Sequence, residues 1–220
     1  MKIILSVIIL SVISSFIFPQ IKCENEKPAG SSKFNSASIE LNNKALSLWQ
    51  KEMVKEKPDF RVAVLVISLL DSAITADSSY YLAYGNKANI LLGYGRTLDA
   101  IETMEKCIKN SPEMAESIAL LGMLYEGNKN KKEAIKNYEK ALAVYRMRFK
   151  EKHDFTDYSN GIIILLQLGK KKEADSLVSK LPGEFPDRNK EIADFLNLYK
   201  TYNHKETIKD LCRKRYIQEN

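Results

Sequence analysis

Histidine is scarce in this chain. Among 220 residues there are two, His153 and His204, and neither stands in H-E-x-x-H or any other metal-ligand spacing, so no metal site is expected. Gly93-Tyr-Gly95 does not continue into a dinucleotide or phosphate-binding loop, and no serine is flanked as in a nucleophile elbow. Catalysis needs converging titratable groups; their absence from the sequence pattern makes a hydrolase the weakest functional reading and implies no cofactor. Cysteine is nearly as rare. Besides Cys23 there are only Cys107 and Cys212, too few for a disulfide framework and without C-x-x-C spacing. Nine glycines and six prolines exclude collagen-like and low-complexity chains. Charge of one sign is also in short supply. The formal charge is +6, and because Lys2 and Lys22 are the only charged residues up to Cys23, the remainder carries +4, too little to argue for nucleic acid as a partner.

Apolar residues, 45% of the total, are concentrated at the start. Lys2 is followed by an apolar run from Ile3 to Phe18, broken by Pro19. A basic start and a run of this length are the n- and h-regions of a secretory signal, and the run is slightly shorter than a confident membrane span. Residues 1–22 are therefore expected to be a signal peptide or membrane anchor, and residues 23–36, with Glu24, Glu26, Pro28, Gly30 and two serines, a flexible tether. A cysteine directly after an apolar run resembles the acylated Cys of bacterial lipoproteins, whose two acyl signals hold a protein at a membrane. Cys23 is the corresponding residue, with Lys22 where the lipoprotein pattern prefers a small side chain. Lipidation at Cys23, ordinary secretion and an uncleaved anchor all place residues 37–220 outside the cytosol, on the periplasmic or outer-membrane side of a cell envelope in the first case.

A repeat organises the rest. Residues 81–114 align with residues 115–148 at a 34-residue offset, so that Ala88 falls on Gly122, Leu91 on Tyr125, Ala100 on Ala134, Met104 on Tyr138 and Cys107 on Ala141. A third copy, residues 155–182, follows after an insertion of six, with Ala174 on Ala134 and a Leu168-Gly169 stop between its helices. The insertion either lengthens the preceding helix or makes a loop between Lys150 and Thr156. Small, aromatic and apolar residues at this period resemble the tetratricopeptide repeat. That resemblance implies an all-α, right-handed superhelical solenoid of about four to five antiparallel helix pairs, with degenerate copies at both ends. Scaffold positions under it are Ala88, Leu91, Ala100, Met104, Cys107, Pro112, Leu121, Gly122, Tyr125, Ala134, Tyr138, Ala141, Gly169 and Ala174. Gly122 and Ala134 are expected on facing helices that approach closely, with Tyr125 and Tyr138 filling the gaps beside them. Ser111-Pro112-Glu113 reads as the start of the next helix, with Ser111 capping it. Upstream, residues 38–55 and 59–76 read as another pair; downstream, a helix through Tyr202 and a capping box at Asn203 to Glu206 start the last elements.

The resemblance also implies that first helices line a groove that holds a peptide or an extended segment of a protein partner. Groove-facing positions carried over onto this sequence are Leu82, Asn86, Asn89 and Leu92, then Glu116, Met123 and Glu126. Gly85 and Ala119 stand where a carboxylate clamp would need cations, which excludes that clamp. Three basic runs, around Arg146 to His153, Lys170 to Lys172 and Arg213 to Arg215, read as solvated helix ends, with binding of anionic lipid or glycan as the alternative. Tyr80 and Tyr84 share one helix face and read as packing residues, with a partner contact at Tyr80 as the alternative.

Overall fold

The computed structural model describes residues 34–55 and 58–213, within which there are eleven helices and no strand. The signal segment 1–22, Cys23, Lys214 and Arg215 lie outside the described residues. Contacts divide the chain into two compact units, one running to Pro112 and one from Glu113 to Leu211.

The first unit contains α1 (Ser36–Met53), α2 (Phe60–Ala76), α3 (Tyr81–Gly93) and α4 (Thr97–Asn110), each packed on the next. Asn35 and Asp59 start α1 and α2 by accepting hydrogen bonds from the backbone N–H groups of Ala37 and Arg61. Phe34 packs against Tyr80 and Tyr81, and the Asn35 N–H donates to Asp77, so residues 34–36 of the expected tether are part of the fold. On α2 the buried residues are Ala63, Val66, Leu70 and Ala73, and on α4 Ala100, Met104 and Cys107 recur with the same helical spacing. Tyr80 and Tyr84 are both buried; the Tyr84 hydroxyl donates to the Ser78 carbonyl and accepts from Asn110, so both tyrosines serve packing. Cys107 is buried and not joined by a disulfide to Cys212.

The second unit contains α5 (Ala115–Gly127), α6 (Lys131–Lys152), α7 (Phe155–Gln167), α8 (Lys171–Val178), the single turn α9 (Leu181–Glu184), α10 (Asn189–Thr201) and α11 (His204–Leu211). The six inserted residues lengthen α6, which runs 22 residues before His153 ends it in the left-handed region at φ 50°. Phe149, His153, Phe155, Tyr158 and Phe185 form a ring cluster that joins the end of α6 to α7 and to the segment after α9. Ser111 does not cap α5. It ends α4 and donates its hydroxyl to the Ser79 carbonyl, Pro112 sits exposed in the turn, and α5 starts at Ala115, because the Ser-Pro-Glu segment serves the link and not the helix.

Three turns, between α3 and α4, α5 and α6, and α7 and α8, are built alike. Arg96 donates its backbone N–H to the Leu91 carbonyl, Asn130 to Tyr125 and Lys170 to Leu165, six-residue closures of the kind that end a helix through a left-handed residue. That residue is Gly95 (φ 71°), Lys129 (φ 62°) and Gly169 (φ 71°). The middle turn therefore places a side chain where the other two have glycine.

Candidate functional site

First helices are more deeply buried than second helices. Every residue of α5 from Ala115 to Leu124 is buried, whereas α4 and α6 bury a stripe and expose the rest. This all-round burial has a local cause at Gly122, where an added Cβ would lie 2.7 Å from two carbons of the Tyr138 ring and 3.3 Å from the Ala134 carbonyl oxygen. The absence of a side chain lets α5 lie against α6. Ala134 and Tyr138 face it from α6, and both are buried.

On α3 the stripe Leu82, Asn86 and Asn89 is half-buried, and the Asn86 amide donates to Asn42 on α1 at 2.8 Å. Its spacing, i, i+4 and i+7, puts all three on one helix face. Leu92 does not join them. It is fully buried, a core residue and not a contact surface.

On α5 none of the expected contact residues presents a free face. Met123 is 3% exposed. Glu116 is buried and accepts a hydrogen bond from Arg148 at 3.1 Å, while Arg148 also reaches the Asp157 carboxylate at 2.6 Å. Burial works against the Arg148 charge, but Glu116 and Asp157 outweigh it and hold the guanidinium protonated. Burial likewise pushes the Asp157 carboxyl above its ordinary value, with Arg148 opposing the shift. Glu126, at the other end of α5, accepts from the Tyr138 hydroxyl at 2.8 Å and meets His204 Nε2 at 2.8 and 2.9 Å. The groove expectation for Glu116, Met123 and Glu126 is thus corrected: a long α6 brings Arg148 to the first, the second is buried, and the carboxylate of the third, still partly exposed, is engaged by Tyr138 and by His204 of α11. Nothing local in the sequence signals the His204 contact, since 78 residues separate it from Glu126. Arg148 had a signal: no proline follows the second copy where one follows the first, so its helix runs on and carries the guanidinium inward.

The basic runs are engaged in part by acids. Arg146 pairs with Glu173, Lys171 with Asp175 at 2.9 Å and His153 lies 3.5 Å from Glu184. Among the described residues no three His, Cys, Asp or Glu side chains gather as a metal site, and no helix is long and apolar enough to cross a membrane.

The family model of the tetratricopeptide repeat matches residues 81–114 and 115–146. The two matched segments coincide with α3–α4 and with α5 and most of α6. Among solved structures, the chain resembles MamA 41-end from Desulfovibrio magneticus RS-1 at 14% identity and a TM-score of 0.43, covering 69% of this chain and 77% of that one. It also resembles the MamA RS-1 ArsTM double mutant at 15% identity and a TM-score of 0.44, covering 81% and 88% respectively. No curated protein matches. The fold is an all-α array of antiparallel helix pairs, and tetratricopeptide repeats generally mediate binding of protein partners.

Proposed function

We propose that this chain is a non-catalytic scaffold of the bacterial cell envelope, exported and held at a membrane through its N-terminal segment, which binds a peptide or extended segment of a protein partner along helix α3. The observation that carries the binding reading is the α3 stripe. Leu82 offers an apolar contact, while Asn86 and Asn89 offer amides that both donate and accept, the combination that an extended backbone requires. Asn86 already engages one amide, that of Asn42. The address rests on Lys2, the apolar run to Phe18 and Cys23.

The binding test is affinity capture from detergent-solubilised membranes at low and high salt. A partner held along α3 persists at high salt, where a charge-driven contact with lipid or glycan dissolves, and is lost when Leu82, Asn86 and Asn89 are replaced by Glu. Capture that survives the triple replacement refutes the groove reading. Mass spectrometry of the mature N-terminus tests the address: a chain starting at an acylated Cys23 is expected, and an unmodified N-terminus elsewhere removes the lipid anchor.

A further inference from the structure

The last helix stands apart from the helix-pair pattern. α11 follows α10 and packs back on α5, the first helix of the second repeat. It buries Thr207, Ile208 and Leu211 and points His204 Nε2 at both oxygens of Glu126, at 2.8 and 2.9 Å. The His204 ring also meets the edge of Tyr138, centroids 6.2 Å apart, and its Nδ1 lies 3.3 Å from the Tyr202 hydroxyl. His204, Thr207, Ile208 and Leu211 are spaced i, i+3, i+4 and i+7, the register in which an amphipathic helix lies in a groove of another protein. Lys205, Glu206 and Lys209 on the far side are exposed. An eight-residue helix is too short to persist alone in water, so it holds through this one face and through Asn203, whose side chain accepts from the Glu206 N–H.

We propose that α11 occupies, within its own chain, a binding face on α5 that takes in exchange an amphipathic helix of a protein partner. The partner helix carries aliphatic anchors in place of Ile208 and Leu211, and a hydrogen-bond donor one turn before the first of them to meet the Glu126 carboxylate. This rests on the reading of the chain as a partner-binding scaffold and adds that the second repeat is closed until its own helix leaves. Tethering gives α11 an effective concentration on the order of millimolar, so an incoming helix must outbind that, and its apparent affinity falls by the fraction of chains in which α11 is docked.

A fluorescent synthetic peptide of residues 203–211 serves as the probe, titrated into two full-length chains by anisotropy. One is unaltered and the other carries Ile208→Asp and Leu211→Asp, which strand α11 in water. The altered chain, losing no more helical content by circular dichroism than the eight residues of α11 itself, is expected to bind the peptide at least tenfold more tightly than the unaltered chain, and to lose most of that binding when Glu126→Ala is added. Equal binding by the two chains, or no binding by the altered one, overturns the proposal, as does a loss of helical content beyond α11, which would make α11 an integral part of the unit. Hydrogen exchange on the milder His204→Ala chain gives a second reading. Amides of residues 205–211 should exchange faster while α5 stays protected; α5 exchanging in step with α11 overturns the proposal. No natural partner enters these measurements, so their failure leaves the capture experiment on α3 standing, and failure of the capture leaves them standing.

Discussion

Two glycines buried in mid-helix make a paired experiment. Alanine is the better helix former by about 0.8–1.0 kcal/mol in a helix interior, so on propensity alone Gly122→Ala and Gly161→Ala should stabilise equally. Their surroundings differ. At Gly161 an added methyl would meet Leu142 Cδ1 at 3.8 Å and Tyr145 Cβ at 3.9 Å, ordinary contact distances. At Gly122 it would lie 2.7 Å from Tyr138 Cδ1 and Cε1, and the Tyr138 ring is 1% exposed, with its hydroxyl bonded to Glu126. The ring cannot swing away without giving up packing and that hydrogen bond. Overpacking of a filled core costs about 1–3 kcal/mol, which exceeds the propensity gain, so Gly122→Ala should destabilise by about 1 kcal/mol net. Gly161→Ala should stabilise by somewhat under 1 kcal/mol, making the two variants differ by about 2 kcal/mol. Urea unfolding followed by circular dichroism resolves this as opposite shifts of the midpoint at constant slope. In a Tyr138→Leu background the ring clash is gone, the Ala134 carbonyl oxygen at 3.3 Å remains, and Gly122→Ala should cost less than it does beside Tyr138. If Gly122→Ala unfolds at or above the unaltered midpoint while Tyr138 is intact, the close approach of α5 and α6 is not what fixes this position.

The turn residue Lys129, at φ 62° where its two counterparts are glycine, should tolerate Lys129→Gly with a gain of about 1 kcal/mol, since a non-glycine residue pays that much or more for the left-handed region; a loss in urea midpoint contradicts this. Replacing Arg148 by Met strands the buried Asp157 and Glu116 carboxylates and should cost about 3 kcal/mol, most of it recovered when Glu116→Gln and Asp157→Asn are added; absence of recovery in thermal unfolding argues against the ion cluster. The Asp77 carboxyl is held below its ordinary value, chiefly by the Asn35 N–H and then by the Ser79 hydroxyl. A lowered folded value means that its stabilisation is complete above the unfolded carboxyl's titration and is lost as pH falls through the folded value, so Asp77→Asn should flatten the acid side of stability below about pH 4, measured by urea unfolding between pH 3 and pH 6.

Local pattern carried the helix pairs, because the 34-residue period and the small residues at Ala88, Gly122 and Ala134 follow from chain geometry that repeats. It carried the long α6 as well, through the missing proline. It did not carry exposure. Whether Glu116 or Glu126 faces water depends on Arg148 and His204, which lie 32 and 78 residues away, and no periodicity encodes a pairing at that distance. Leu92 and Met123 were placed on a groove by analogy of position, yet their apolar character already matched the interior that they occupy. Ser111 has every mark of a helix cap, yet its hydroxyl donates instead to the Ser79 carbonyl, which also accepts from the Tyr81 N–H. Of the expected groove residues, Leu82, Asn86 and Asn89 on α3 and Glu126 on α5 remain partly accessible, the last of them engaged by His204.

The length of α6 has a consequence for how such an array can grow. Repeat proteins gain copies by duplicating one unit, which works only if each unit ends where the next can begin. Here the second copy is still helical at the point where a following copy would start its own first helix, and its last turns carry Arg148 into a clasp made with two neighbouring helices. A duplicate inserted after residue 148 would cut that helix and orphan the guanidinium. This junction is a fixed stop in an otherwise modular chain, and variation in copy number, in nature or by design, has to enter elsewhere.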